Sequence, residues 1–335
     1  MYRLLRRLSK DIDPESMHHI ALTMLRYLPS WCFKTPAIKP VQVMGLEFKH
    51  PVGLAGGFDK DGKYLNALGK LGFAFIELGT VTPRPQEGNP KPRIFRLPKE
   101  RAIINRMGFN NAGVDALVKN IKKSAYQGMI GVSIGPNKNT PADKIWDDYV
   151  YCLERVYLYA DYIAINISSP NTPGLRDLHD ITRFAALMSK LREEQIVLAE
   201  KTGRYVPLVI KLSPDESDDT LIKMAEQCVR SGLDGMILTN TTVSHQGETG
   251  GLSGRPLAAR AKQCLDVVKN VVGDEVALIA SGGIDSLEEA QIRMASGASL
   301  IQVYSGLIYE GPVFIHRLVQ GLMDVSTDES SDVNS

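Results

Sequence analysis

The stretch IAINISSPNTPGLR, residues 163–176, passes from an apolar run directly into a loop carrying Asn166, Ser168, Ser169, Asn171 and Thr172. A short apolar run reads as a buried strand, and the Asn/Ser/Pro segment behind it reads as the turn that ends the strand. The same transition recurs from residue 50 onward. Short β-rich runs at 52–55, 75–78, 129–134, 162–167, 208–212, 236–240, 277–281 and 300–304 alternate with longer segments. Those at 111–125, 144–160, 181–200, 217–232 and 257–271 are long enough for crossover helices. Strands joined in this way run parallel. Eight such units in roughly 250 residues predict a closed (β/α)8 TIM barrel over an open doubly wound sheet.

In such a barrel the working groups gather where the strands end. Every predicted exit carries polar or glycine chemistry: GGFDKDG (56–62) after the first strand, Gly79 and Thr80 after the second, Gly135 to Lys138 after the third, and the Asn/Ser loop after the fourth. Lys211 and Ser213 follow the fifth, Thr239, Asn240 and Thr241 the sixth, Ser281 to Gly283 the seventh, and Tyr304 to Gly306 the eighth. One polar exit is ordinary turn chemistry. Eight together favour a shared ligand site.

With 335 residues, 44% hydrophobic and 23% charged, the chain has ample material for the core of one large soluble domain and a small extension. Cys32, Cys152, Cys228 and Cys264 are scattered without a CxxC pair, which argues against a disulfide framework or a zinc site and leaves no metal expected. No apolar run reaches the roughly 18 to 20 residues of a membrane span, and no signal peptide is visible. The net charge of +1 gives no expectation of a nucleic-acid partner, and no protein partner is inferred.

That charge is unevenly spread. Residues 1–40 hold seven Lys/Arg against Asp11, Asp13 and Glu15, a balance of +4 that leaves −3 for the remainder. Helical apolar spacing runs through Leu4, Leu5, Leu8 and Ile12, then through Met17, Ile20, Ala21, Met24, Leu25 and Leu28, the second series behind an Asp13 cap and Pro14. The segment thus reads as two short amphipathic helices, lying on an anionic membrane surface or packed on the body. At the other end, STDESSDVNS has the composition of a disordered tail. The expected domains are 1–40, an amphipathic helical domain, 41–323, the barrel, and 324–335, the tail.

Gly282-Gly283 and Ser305-Gly306 sit after the seventh and eighth strands, where such barrels often bind phosphate. Two glycine turns without a ligand would look alike. Lys211, closing LVIKL, points into the barrel mouth, and burying an unpaired ammonium there is costly. A lysine on the solvated rim is the plainer alternative.

Longer motifs add a specific resemblance: DKDG (59–62), ELGTVTPRPQEGNPKPRIFRL (77–97), NRMGFNN (105–111), NISSPNTPGLR (166–176), TNTT (239–242), GGLSGRPL (250–257) and GGI (282–284). Over about residues 1–323 the chain resembles the dihydroorotate dehydrogenase family, in its membrane-associated, quinone-using class 2. The resemblance implies FMN-dependent oxidation of dihydroorotate to orotate in pyrimidine synthesis, with quinone as the final acceptor and the N-terminal helices admitting it. It implies Ser169 as the base that takes the C5 proton while hydride leaves C6 for the flavin; a hydroxyl is a weak base, so Ser169 is expected to pass the proton outward through Thr172 or water. Substrate contacts are implied for Lys60, Asn105, the backbone of Arg106, Met107, Gly108 and Phe109, and for Asn166, Asn171, Asn240 and Thr241, since neutral amides match the imide edges of orotate. Flavin contacts are implied for Ala55, Gly56, Gly57, Lys60, Thr80, Asn166, Lys211, Thr239, Gly254, Gly283, Tyr304 and Ser305, and quinone contacts for His18, Arg96 and Tyr304.

The chain departs from the family pattern at several points. GVSIG places Ser133 where asparagine usually meets the flavin, Pro136 replaces a common lysine, Gly56 replaces a frequent alanine, and VSHQGET (243–249) is shorter than usual. A flavin-free barrel using Lys60 or Lys211 as a Schiff-base nucleophile, and a non-catalytic binding scaffold, are the alternatives. The expected location is peripheral, on the cytoplasmic face of a bacterial inner membrane, or in a processed mitochondrial form.

Overall fold

The structure, a computed structural model, describes residues 11–33, 36, 38–169 and 180–328. Its first six strands are β1 (Val41–Val43), β2 (Leu46–Phe48), β3 (Val52–Leu54), β4 (Phe75–Val81), β5 (Ile94–Leu97) and β6 (Ala102–Asn105). Then come β7 (Met129–Ile134), β8 (Tyr162–Asn166), β9 (Leu208–Leu212), β10 (Gly235–Leu238), β11 (Gly251–Gly254), β12 (Ala277–Ser281) and β13 (Leu300–Val303). Strands β3, β4, β7, β8, β9, β10, β12 and β13 close into a parallel barrel in that order, β13 pairing back onto β3. All eight predicted runs are therefore barrel strands. The five expected crossover helices appear as Val114–Lys123, Ile145–Val156, Ile181–Thr202, Asp218–Ser231 and Ala258–Val272.

These strands are almost wholly buried, which is why their sequences are continuously apolar rather than alternating. Their inward residues fill the barrel. Phe75 and Tyr162 are fully buried there, and glycines on neighbouring strands make the room: a Cβ at Gly53 would lie 2.2 Å from the Phe75 ring, and one at Gly131 2.2 Å from the Tyr162 ring. Truncating such a ring costs about 3–5 kcal/mol. The β1–β2 hairpin closes the bottom, packing Val43 and Phe48 against Phe75, Tyr162 and Leu300.

Two additions shape the open end. Strands β5, β6 and β11 form an antiparallel sheet in the order β11-β6-β5, with Asn105 at the end of β6 and Gly254 at the end of β11. The helix Pro14–Tyr27 lies across the same end; Asp13 Oδ2 caps it by accepting from Ser16 N at 2.8 Å, and Pro14 opens it as predicted. Leu22 and Leu25 are its buried anchors. Glu15 fastens it through a bidentate pair with Arg93, at 2.6 and 3.0 Å. The first expected helix falls mostly outside the described residues. At the C-terminus the helix Val313–Asp328 continues five residues into the segment expected to be a polar tail, because its apolar side, with Phe314, Ile315, Leu318 and Val319 buried, carries the helix on past its packed part; residues 329–335 lie outside the described set.

Candidate active site

One cavity of about 1200 Å³ opens at the C-terminal ends of the barrel strands and continues beneath the helix Pro14–Tyr27. Its inner part is polar. Asn166, at the tip of β8, donates from Nδ2 to Thr80 Oγ1 at 2.8 Å, and Thr80 shares a 2.8 Å hydrogen bond with Ser133 Oγ. Asn240, beyond β10, donates to Ser168 Oγ at 3.0 Å and approaches Asn166 Oδ1 at 3.4 Å. Ser169 is buried beside them and lines the cavity. The ends of four strands, β4, β7, β8 and β10, are thus tied into one polar cluster.

Lys211 reaches the cavity from β9 and is only 7% exposed, its Nζ 4.0 Å from Glu77 Oε1. Lys60 approaches from the loop after β3 and donates to Asn110 Oδ1. Burial, with the Arg93 cation nearby, pulls the Lys60 ammonium down to about 7. One residue earlier in this loop, Asp59 accepts from Tyr64 N at 2.7 Å and Lys63 N at 3.0 Å, yet its burial raises the carboxyl to about 6.

On the other side, glycines line the wall. Gly282 and Gly283 both have positive φ, and a Cβ at Gly283 would lie 2.4 Å from Ala258 Cα, so only glycine lets the chain pass that close. Ser305 Oγ shares a 2.7 Å hydrogen bond with Ser253 Oγ at this wall.

The outer part is apolar and aromatic. His18 Nε2 lies 2.8 Å from Phe58 O; a carbonyl only accepts, so Nε2 carries the proton. The His18 and Phe58 rings meet edge-on with centroids 4.8 Å apart, and Phe58 meets Tyr304 likewise at 5.1 Å. Burial lowers His18 to about 4 and raises the Tyr304 phenol to about 12. Met17, Ala21, Met24 and Leu28 continue this lining; Tyr27 and Trp31, at the end of the same helix and just beyond it, are 80% and 84% exposed. Arg96, on β5, donates from Nη2 to Ile12 O beside the helix.

The sequence model of the dihydroorotate dehydrogenase family matches residues 39–325. The chain belongs to that family. It is 54% identical over 330 residues to the dihydroorotate dehydrogenase (quinone) of Legionella pneumophila (strain Lens), covering 96% of this chain and 99% of that one. It is 48% identical to the protein of that name from Aliivibrio fischeri (strain MJ11), covering 96% of this chain and all of the other. Among solved structures, a crystal structure of DHODH from Eimeria tenella in complex with ferulenol superposes with a TM-score of 0.89 at 36% identity, covering 96% of this chain and 94% of that one.

The cavity brings together nearly all of the residues expected in it. Ala55, Gly56, Gly57, Lys60, Thr80, Ser133, Asn166, Lys211, Thr239, Gly254, Gly283, Tyr304 and Ser305 line it, as do Asn105, Met107, Gly108, Phe109, Ser169, Asn240, Thr241, His18 and Arg96. Arg106 is the exception. Its guanidinium turns outward, over the Phe95 ring at 4.7 Å and onto Thr249 Oγ1 at 3.0 Å, and its backbone N–H is taken by Arg93 O at 2.9 Å. A long side chain just past a rim strand follows the nearest acceptors, and here these belong to the 243–249 loop. Asn171 and Thr172 lie outside the described residues.

The departures from the family pattern now have physical form. Ser133 spends its hydroxyl on Thr80, inside the chain that fixes Asn166. A Cβ at Gly56 would come 2.5 Å from Glu77 Oε1. The short 243–249 loop is held by Arg106 and by His245 Nε2 at 2.9 Å from Gly250 O. Two further residues belong to the site: Asn110, the partner of Lys60, and Phe58, the link between His18 and Tyr304. Asn110 stood in the quoted NRMGFNN and Phe58 in GGFDKDG, but nothing local says that either one turns inward.

Proposed function

We propose that the protein oxidises dihydroorotate to orotate in pyrimidine synthesis and passes the electrons to a quinone, with FMN as its cofactor. The observation that carries this reading is the continuity of the cavity, which has polar strand-end amides at its inner end and an apolar, helix-lined passage to its mouth. A planar imide with a carboxylate suits the first part and a hydrophobic ring with a tail suits the second.

The residues present fit FMN. A glycine wall with close backbone approach at Gly283, hydroxyls at Ser305 and Ser253, a buried cation at Lys211 and the Thr80–Ser133–Asn166 chain supply the surroundings that a phosphate, an electron-accepting ring and its polar edge need. Residues 55–57, Thr239, Gly254 and Tyr304 would complete its holding surface. When bound, FMN supplies a two-electron acceptor that no side chain offers.

The protein's own groups do the rest. Asn105, Asn166 and Asn240, with Asn171, match the donors and acceptors of the pyrimidine ring. Lys60 and the backbone of residues 107–109 face its carboxylate; Arg106 contributes no side chain to it. Ser169 Oγ takes the C5 proton and releases it through Thr172 or water. His18, neutral and fixed by Phe58 O, presents an aromatic edge to quinone, with Arg96 and Tyr304 beside the same passage.

Residues 1–40 serve as the membrane and quinone domain, the apolar stripe of Met17, Ala21, Met24 and Leu28 opening toward a lipid surface with Trp31 at its end. No described helix is long and apolar enough to cross a membrane. A peripheral position on the cytoplasmic face of a bacterial inner membrane follows from this reading. The test is steady-state turnover of dihydroorotate by purified, FMN-loaded protein with a soluble quinone, fumarate or NAD in turn. Orotate formed with quinone alone supports the proposal; turnover with fumarate or NAD and none with quinone contradicts it.

A further inference from the structure

Beneath the strand-end amides lies a buried polar group that the substrate and quinone contacts leave unused. Glu77, on β4, is 0% exposed. Its Oε2 accepts from the Tyr162 hydroxyl on β8 at 3.0 Å and from Gln302 Nε2 on β13 at 2.6 Å. Two donors on one oxygen fix the plane of the carboxylate, so the other oxygen is aimed rather than free to rotate. That second oxygen, Oε1, has no hydrogen-bond donor among the described residues, lies 4.0 Å from Lys211 Nζ, and occupies the space a Cβ at Gly56 would invade.

We propose that Glu77 is a positioning residue for the electron-transfer chemistry: it holds the Lys211 ammonium at the cavity floor and offsets its charge, setting how strongly the site favours reduced over oxidised flavin. The inference rests on the FMN reading above. Two electrons and one proton convert the neutral oxidised ring into an anion. A buried, uncompensated lysine beside that anion would stabilise it strongly, because charges this close count far more in a dry site than in water. The flavin would then be filled readily and emptied slowly. A carboxylate held 4.0 Å behind the ammonium moderates the attraction, and the glycine at position 56 leaves the space that this distance needs.

Two variants of the FMN-loaded protein test the inference through the flavin midpoint potential. Glu77→Gln keeps the shape and removes the charge. It should raise the potential by an amount equal to at least tenfold tighter relative binding of the reduced form, about 30 mV for a two-electron couple. Tyr162→Phe keeps the ring and withdraws one donor, leaving the carboxylate less neutralised, and should lower the potential. A merely structural quartet would move both variants in the same direction or move neither. An unchanged potential in Glu77→Gln overturns the inference. If that variant does not fold, Tyr162→Phe decides: a lowered potential supports the inference, and an unchanged or raised one overturns it. Wild-type protein that binds no FMN would overturn the cofactor reading as well, whereas flavin-loaded variants with unmoved potentials overturn this inference alone.

Discussion

Asn240 donates from Nδ2 to Ser168 Oγ at 3.0 Å, joining the exit of β10 to that of β8 across the barrel mouth. The contact holds the amide at the polar end of the cavity, where it can meet one edge of a pyrimidine. Replacing Asn240 with alanine removes that edge and frees the Ser168 hydroxyl. A lost buried hydrogen bond costs about 1–3 kcal/mol, so kcat/KM for dihydroorotate should fall on the order of 10- to 100-fold. Steady-state kinetics at saturating quinone checks this, and an unchanged kcat/KM would remove Asn240 from the substrate site.

Ser169 carries the proton step in this reading. Ser169→Ala should slow flavin reduction by dihydroorotate on the order of 10²- to 10⁴-fold, the usual worth of a positioned base. Reoxidation by quinone should keep its rate, because that half-reaction does not use the hydroxyl. Stopped-flow measurement of each half separately makes the distinction.

His18 gives a pH dependence with a definite sign. Its folded-state value, about 4, lies below the ordinary 6.5 because the ring is buried, so the undocked helix binds more protons than the docked one between those values. The contribution of His18 to helix docking is complete above pH 6.5 and is lost as the pH falls toward 4. Hydrogen exchange of residues 14–27 should accelerate over that window, and His18→Asn should flatten the dependence. Glu15, held below the usual carboxylate range chiefly by the Arg93 hydrogen bonds, acts in the same direction at still lower pH.

Gly283 combines a φ of +77° with a Cβ position 2.4 Å from Ala258 Cα. Gly283→Ala therefore meets both strain, worth about 1–3 kcal/mol, and a backbone clash at the wall assigned to the cofactor phosphate. Thermal stability should drop, and the dissociation constant for FMN, followed by fluorescence quenching on titration of apoprotein, should rise on the order of tenfold or more. Unchanged affinity would place the phosphate elsewhere.

The barrel was legible because its strands are buried on both faces and its helices fill each gap, so the pattern repeats eight times. Strands β5, β6 and β11 were not. IFRL is half-buried along its whole length and the other two are four residues each, too short to show a period, while the β1–β2 hairpin has three residues a side. Strand-end residues were legible because their place along a barrel strand sets their direction. Arg106 escaped that logic because its backbone N–H is taken by Arg93 O. Glu77 carries no local signal in ELGT, since its partners Tyr162 and Gln302 are 85 and 225 residues away and only barrel closure brings them together.

The central claim is that one cavity serves dihydroorotate at its inner end and quinone at its mouth through a single bound flavin. Anaerobic mixing of FMN-loaded protein with dihydroorotate, followed by addition of a soluble quinone, tests it in one trace. Flavin absorbance near 450 nm, a property of the oxidised ring system and not of the side chains, should fall with the first addition and return with the second, with orotate formed in about equal amount to flavin. Absorbance that dihydroorotate leaves unbleached, or that quinone does not restore, would contradict the account.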